Sequence, residues 1–149
     1  NLGPDNTNGG YAGLGRINSI AFHPTNSNVI YVGAAGGGLW QSNDGGTNWF
    51  TNTDGIGSLG VSGIVVNETN PNIVYIATGD GEAFDNYSVG VLKSIDGGAT
   101  FNPTGLTWNT SSARVIRSLI ADPNDVNTLL LASNFLRYLA AVKPSITGI

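Results

Sequence analysis

Hydrophobic residues of this chain fall in short runs that are separated by Gly, Pro, Asn and Asp. The first runs, near residues 17–22 and 29–33, are rich in β-branched and aromatic side chains, which favour strands. Short runs such as Ile64–Val66 and Leu129–Leu131 predict strands that are buried on both faces. No segment shows a convincing helical period, so the pattern predicts a chain built of short strands.

A longer pattern, an apolar run followed by a polar turn and a second apolar run, occurs three times. The second copy follows the first by 44 residues, and an asparagine takes the same place in each turn. A repeat of this length made of short strands is typical of a β-propeller. The copies span residues 17–33, 61–77 and 116–132, with Asn28, Asn72 and Asn127 at the shared position.

Each unit predicts four strands, which in the first copy lie roughly at 17–22, 29–33, 38–42 and 48–52. The predicted fold is therefore all-β, a β-propeller-type array of four-stranded antiparallel blades, of which about two and a half are present. The predicted division is an N-terminal arm at 1–14, blade 1 at 15–60, blade 2 at 61–113, and a partial blade 3 with an atypical tail at 114–149.

The segment SNDGGTNW at 42–49 returns as SIDGGATF at 94–101, each time between the third and fourth strands. The paired glycines supply the positive φ that a tight hairpin demands, and the aspartate accepts backbone N–H groups of its own turn. We therefore favour a structural role over two catalytic aspartates. The structural set is Ser42, Asp44, Gly46 and Trp49 in the first hairpin, and Ser94, Asp96, Gly98 and Phe101 in the second.

The motif Ser-x-Asp-Gly-Gly-x-x-Trp/Phe resembles the Asp-box of the bacterial neuraminidase repeat (BNR). The wider pattern, over about residues 14–132, resembles secreted bacterial BNR-type propellers, which are related to sortilin-like domains and to xyloglucan-degrading glycoside hydrolases. The resemblance implies a propeller fold and a secreted or cell-surface protein. It implies no single function, because such propellers include sialidases, endoglucanases, receptors and photosystem assembly factors.

The loop between the second and third strands differs between the units. It has fourteen residues in the second unit (77–90) and six in the first (33–38). Consecutive hairpins turn at alternate ends of a blade, so we expect this loop at the end opposite the Asp-Gly-Gly hairpins, where propeller ligands usually bind. The loop carries the candidate ligand residues Asp80, Glu82, Asp85, Asn86 and Tyr87.

Four interpretations of this acidic loop stay open. It is a solvated loop with incidental charge, a site for Ca²⁺ or a similar hard cation, a carboxylate of a glycosidase pair, or a surface for a partner. Trp108, in a loop between blades, is a further ligand candidate because its ring can stack on a sugar, although core or interface packing is the favoured interpretation. Trp40 and Leu92, at equivalent strand positions, are expected in the core.

The composition of the chain limits the classes of partner that it can bind. Six Lys and Arg in a chain of net charge −4 disfavour nucleic acid, which needs a basic surface. There is no apolar stretch of membrane-spanning length and no cysteine, so neither a membrane span nor a disulfide is predicted. The first residue is Asn rather than Met, from which we expect a processed or trimmed N-terminus.

The favoured function is a non-catalytic, secreted or cell-surface module for binding or assembly. The alternative is a fragment of a glycoside hydrolase of the Asp-box propeller type that acts on polysaccharide. The resemblance implies an aspartate just after the second strand of the first blade in the xyloglucan-degrading relatives, but residues 33–38 contain no acid. A sialidase would need an arginine triad, which Arg16, Arg114, Arg117 and Arg137 do not clearly provide.

The repeat pattern ends near Asn134, where a third Asp-box is expected and does not occur. Three explanations stay open: the chain is part of a larger propeller, which we favour; it assembles with copies of itself; or its tail results from a frame change. Polysaccharide or a surface protein are further candidate partners. The apolar surface expected to be poorly covered without such a partner includes Ile64, Val66, Leu119 and Leu131.

Overall fold

The computed structural model describes residues 15–58, 60–134 and 140–142 of the 149-residue chain. For residues 126, 127 and 140–142 only the backbone is described. The predicted N-terminal arm, 1–14, and most of the atypical tail lie outside the described residues.

The described residues form three antiparallel sheets, each a meander of strands in chain order. The fold is all-β, as the sequence predicts, and one turn of 3₁₀ helix, Thr110–Ser112, is the helical segment within the described ranges. The first sheet has β1 (Ile17–Phe22), β2 (Ile30–Ala34), β3 (Gly38–Ser42) and β4 (Phe50–Thr51); the second has β5 (Val61–Val66), β6 (Val74–Thr78), β7 (Gly90–Ser94) and β8 (Asn102–Thr107); the third has β9 (Ile116–Asp122), β10 (Asp125–Ser133) and β11 (Ala140–Val142). We call these sheets blades 1, 2 and 3.

The Asp-Gly-Gly hairpins join β3 to β4 and β7 to β8, and each aspartate binds within its own turn. In the first hairpin, the Ser42 hydroxyl donates to Asp44 Oδ1 (2.9 Å) and accepts the N–H of Gly46 (2.8 Å). Asp44 Oδ1 also accepts the N–H of Asn48 (2.9 Å). Gly45 and Gly46 have φ of +73° and +93°, a conformation that residues with a Cβ adopt at a cost.

The second hairpin repeats these contacts. The Ser94 hydroxyl donates to Asp96 Oδ1 (2.6 Å) and accepts the N–H of Gly98 (2.8 Å). Asp96 also accepts the backbone N–H and the hydroxyl of Thr100. Of the aromatic residues that end the motifs, Trp49 donates from Nε1 to the Gly46 carbonyl, and Phe101 packs on the apolar cluster between blades 1 and 2.

The core consists of two apolar clusters, one on each face of blade 2. β6 lies between them, and all five of its residues are buried. The Tyr31 hydroxyl donates to the carbonyl of Gly97 (3.0 Å), which ties blade 1 to the hairpin of blade 2. The cluster between blades 1 and 2 has Tyr31, Leu39, Val61, Val74, Ile76 and Leu92 as its buried members; the one between blades 2 and 3 has Tyr75, Ala77, Val91, Ile116, Leu119, Leu129 and Leu131.

Two expectations about burial are wrong. Leu119 and Leu131 are not poorly covered, because their face of blade 3 packs on blade 2. Ile64 and Val66 are half-buried against blade 1.

Trp40 is not a core residue: it is 38% exposed, because it lies on the outward face of blade 1. Leu92 lies on a face of blade 2 that blade 1 covers, and it is buried as predicted.

Candidate functional site

Backbone contacts divide each blade into two ends. The N–H groups of Gly45 and Gly97 donate to the carbonyls of Asn28 and Asn72, so in blades 1 and 2 the first turn and the Asp-Gly-Gly hairpin share one end. We call the other end the loop end, defined by residues 35–37, 52–58, 60, 79–89 and 108–115. The loops there contact one another, as the alternation of hairpins predicts: Asn86 Nδ2 donates to Ala35 O (3.1 Å), Gly79 N–H to Gly60 O (2.7 Å) and Ser88 N–H to Arg114 O (2.8 Å).

Asp80 is the anchor of the long loop, 79–89. It is buried, and its carboxylate accepts from the side chains of Arg16 and Asn18 and from the backbone N–H groups of Glu82 and Ala83. Burial by itself raises the pKa of this carboxyl, but the two backbone N–H groups and Arg16 outweigh it and hold the pKa below its ordinary value. Asp80 is therefore a charged residue whose carboxylate already accepts four hydrogen bonds.

A second set of contacts fixes the return of the loop to β7. The Thr78 hydroxyl donates to the Gly90 carbonyl (2.8 Å) and lies 3.0 Å from the Ser88 hydroxyl. The Asp80 N–H donates to the Asn86 carbonyl (2.7 Å), which closes the loop on itself. Phe84, at the tip, has φ of +64°, a left-handed conformation that is uncommon for an aromatic residue.

A polar groove of about 310 Å³ lies beside this loop. The Arg117 guanidinium in its wall stacks over the Phe84 ring, 5.0 Å from the ring centre. Glu82, which is largely exposed, places Oε2 3.4 Å from Nε of Arg16. The lining residues are Ile17 and Asn18 of β1, Ser62 of β5, Gly81 and Glu82 of the long loop, and Arg117 of β9.

The groove follows from the repeat. Asn18, Ser62 and Arg117 each take the second position of the first strand of their blade. β5 packs between β1 and β9, so this one repeat position brings three polar side chains to the same place. The sequence interpretation missed all three residues and Phe84. The sequence feature that could have identified Asn18, Ser62 and Arg117 is that a polar residue takes the same position in all three aligned copies.

The predicted ligand residues of the loop do not form one cluster. Asp80 and Glu82 both contact Arg16. Asp85 and Tyr87 are exposed, and the Asn86 side-chain amide donates to the carbonyl of Ala35. Across residues 15–58, 60–134 and 140–142, no three His, Cys, Asp or Glu side chains are grouped so that they could hold a metal ion. The described part of the chain thus offers no carboxylate set for Ca²⁺, whose sites need several oxygen ligands.

Trp108 lies in the connection between blades 2 and 3. It is half-buried, packs against the apolar cluster between these blades, and has the Arg114 guanidinium 5.2 Å from its ring centre. Both its neighbours and its burial favour the packing interpretation over stacking on a sugar.

Comparisons with known proteins point to glycoside hydrolases. No family model matches the chain. A curated relative, a xyloglucanase of Paenibacillus sp, is 29% identical in an alignment 124 positions long that covers 76% of this chain and 12% of the relative. Among solved structures, an ancestral GH74 enzyme matches with a TM-score of 0.65 and 26% identity, over 80% of this chain and 16% of that enzyme.

Two further solved structures show the same fold. One is the GH74 enzyme of Niastella koreensis, with a TM-score of 0.57 and 24% identity over 76% of this chain and 16% of that one. The other is the GH74 xyloglucanase of Xanthomonas campestris, with a TM-score of 0.58 and 14% identity over 76% of this chain and 18% of that one. The chain is therefore a partial β-propeller, as the sequence predicts. It spans about an eighth of the curated relative. None of the described residues forms a helix long and apolar enough to cross a membrane.

Proposed function

We propose that this chain belongs to an extracellular glycoside hydrolase of the propeller type and that its groove binds a segment of polysaccharide. The observation that carries the proposal is the convergence of Asn18, Ser62 and Arg117 on one groove, in a chain whose relatives are glycoside hydrolases. The Asn18 amide and the Ser62 hydroxyl can donate to and accept from sugar hydroxyls, and the Arg117 guanidinium can donate to them. This favours the alternative derived from the sequence over a non-catalytic module.

The charges beside the groove support a neutral glycan as the substrate class. Arg16 and Arg117 are balanced by Asp80 and Glu82, so the groove carries no strong field of either sign. The Arg117–Phe84 stack adds a flat, partly apolar surface, of the kind on which a sugar ring can lie. Xyloglucan, the substrate that the names of two relatives give, is the neutral polysaccharide to test first.

In this proposal the groove binds substrate, and Asp80 is not the general acid of the chemical step. A glycosidase needs a carboxyl group with a raised pKa as general acid. Asp80 has a lowered pKa and four hydrogen-bond donors around it, and Ala35 stands after β2 of blade 1, where no acid is present. We assign Asp80 the role of positioning the loop that carries Glu82 and Phe84.

The two Asp-Gly-Gly hairpins support the narrower assignment to the Asp-box repeat. Their shared serine–aspartate contacts, paired positive-φ glycines and terminal aromatic residues recur in both blades. Together with the resemblance to secreted bacterial propellers, they support an extracellular location in this proposal.

Affinity electrophoresis in native gels that contain xyloglucan tests the proposal. We expect retardation of the wild-type chain and about tenfold weaker binding by Arg117→Ala, a change of about 1.4 kcal/mol. Lys93→Ala is the matched control, because Lys93 also lies over an aromatic ring, Tyr75, but does not line the groove. Equal retardation of wild type and Arg117→Ala, or none with any neutral polysaccharide, would contradict the proposed function.

A further inference from the structure

Arg117 is the long side chain among the three repeat-equivalent residues of the groove. Asn18 and Ser62 take the same position in blades 1 and 2, and both are short. Arg117 is exposed, and within the described residues its guanidinium makes neither a hydrogen bond nor an ion pair. An exposed arginine samples many rotamers, so a ligand that fixes it has to offset the lost conformational entropy. A contact that already holds the guanidinium would therefore raise the affinity of the groove.

The contact that the guanidinium does make is with the ring of Phe84. Arg117 Cζ lies 5.0 Å from the ring centre, within the distance at which a cation is attracted to the face of an aromatic ring. This attraction requires no hydrogen bond, so the N–H donors of the guanidinium remain available to a ligand. The equivalent loop of blade 1, residues 33–38, contains no aromatic residue. The ring is thus a feature of the longer loop of blade 2.

The backbone of Phe84 is held in a conformation that an aromatic residue does not favour. Its φ of +64° lies in the left-handed region, where glycine and asparagine are common. The Asp80 carboxylate accepts the N–H groups of Glu82 and Ala83 before it, and the Asp80 N–H donates to the carbonyl of Asn86 after it. These contacts fix the chain on both sides of Phe84. A residue kept at such a position against its local preference points to a role for its side chain.

Gly81 brings the loop against the strand that carries Arg117. It is buried, and a Cβ there would lie 2.9 Å from the Cα of Arg117, closer than real Cβ atoms approach. Gly81 does not have a positive φ, so close packing on β9 is the reason for a glycine here. Farther along the loop, the Ser88 N–H donates to the carbonyl of Arg114, which precedes β9 (2.8 Å). Both contacts place the loop beside Arg117.

We propose that Phe84 is a positioning residue for polysaccharide binding, whose ring holds the Arg117 guanidinium in the wall of the groove before a ligand arrives. This role rests on the proposed function of the groove. Phe84 contributes to affinity as part of its stack with Arg117, and so only while Arg117 is present. The contacts of Asp80 and Gly81 keep the ring where the guanidinium can reach it.

A double-mutant cycle in affinity electrophoresis with xyloglucan tests this coupling. We expect Phe84→Leu to weaken binding about two- to fivefold, the range of an exposed cation–π contact, and to have no further effect in the Arg117→Ala chain. Phe84→Tyr keeps the ring and should bind like wild type. Tyr87→Leu is the matched control and should also bind like wild type, because Tyr87 is an exposed aromatic residue of the same loop that does not line the groove.

Phe84→Gly provides a variant whose backbone suits the site. Glycine adopts the left-handed φ without strain, so this variant replaces Phe84→Leu in the cycle should the latter lose its fold by circular dichroism. A second readout needs no ligand. The NMR signal of the Arg117 Hε proton should show a ring-current shift in wild type and in Phe84→Tyr, and should lose this shift in Phe84→Gly.

Three results would overturn this role while the wild-type chain still binds xyloglucan. They are binding as tight as wild type by Phe84→Leu and Phe84→Gly, equal weakening by Phe84→Leu with and without Arg117, and an Arg117 signal that does not depend on the ring. Equal weakening would show that the ring binds the polysaccharide independently of Arg117. A wild-type chain that binds no neutral polysaccharide would instead overturn the proposed function, and this role with it, so the two failures are distinguishable.

Discussion

Asp44 and Asp96 use their charge to hold a turn. The Ser94 hydroxyl, then the hydroxyl and N–H of Thr100, lower the pKa of Asp96 to about 2. The N–H of Asn48, followed by its amide side chain, lowers the pKa of Asp44 in the same direction. Both carboxylates are hydrogen-bonded in the folded chain and free of these donors in the unfolded one, so protonation favours unfolding.

The first prediction concerns Asp96→Asn. A group with a lowered folded pKa contributes stability above its unfolded pKa, near 3.8, and this stability is lost as the pH falls toward 2. We expect a melting temperature lower by a few degrees at pH 7, and a smaller drop in melting temperature between pH 4 and pH 2 than in wild type. Thermal melts across pH 2–7 measure both effects.

Asp54→Asn, at an exposed aspartate of the β4–β5 loop, is the control for Asp96→Asn. Its acid profile should match that of wild type. An Asp96→Asn profile parallel to wild type between pH 2 and pH 4 would show that the carboxylate does not hold the turn.

The second prediction compares the two acids that meet Arg16. Asp80→Ala removes the acceptor of two backbone N–H groups and of two side chains, and should lower the free energy of unfolding by about 1–3 kcal/mol. Glu82→Ala removes an exposed ion pair and should cost less than about 1 kcal/mol. Urea denaturation measures the free energy of unfolding of both variants. Equal losses would show that the buried contacts of Asp80 contribute no more to stability than the exposed ion pair of Glu82.

At the scale of elements, pattern and turn chemistry predict the strands well. The four strands expected at 17–22, 29–33, 38–42 and 48–52 appear within two residues of these bounds. The reason is that Gly, Asn and Asp fix where a strand stops, while β-branched runs fix where it continues. The errors concern which face is covered. Trp40 and Leu92 are equivalent in the repeat, and only the neighbouring blade makes one exposed and the other buried.

The third prediction uses two glycines of one strand pairing, Gly90 in β7 and Gly105 in β8. Gly90 begins β7 with φ of +110°, and a Cβ there would overlap the carbonyl of Leu106 in β8. Gly90→Ala should lower the free energy of unfolding by at least about 2 kcal/mol. Gly105→Ala, where no atom lies near the new Cβ, should change it by less than about 1 kcal/mol, and chemical denaturation compares them. A cost for Gly105→Ala as large as that for Gly90→Ala would contradict the pairing.

At the scale of the whole molecule, the sequence located the loop end but not the groove. The length of loop 79–89 and the alternation of hairpins indicated the right end of the blades. Asn18, Ser62 and Arg117 each look unremarkable within their own strand, and they meet only because β5 packs between β1 and β9. Asp80, Glu82 and Asp85 are close in sequence, which suggested one acidic cluster, but sequence spacing does not determine where their side chains point. The Asp80 carboxylate points inward to Arg16, and the Asp85 side chain stays in solvent.

The stacking of blades leads to the last prediction, on local stability. Among the described residues, β6 has an apolar cluster on each side and no exposed residue, whereas β2 is covered on one face only and β4 is two residues long at a sheet edge. Opening β6 would separate blade 2 from both neighbours, so its amides should exchange only through global unfolding. Hydrogen–deuterium exchange should therefore rank the amides of β6 slowest, those of β2 faster and those of β4 fastest. Exchange of β6 that is as fast as that of β2 would show that the blades open independently and that the two clusters do not unfold as one unit.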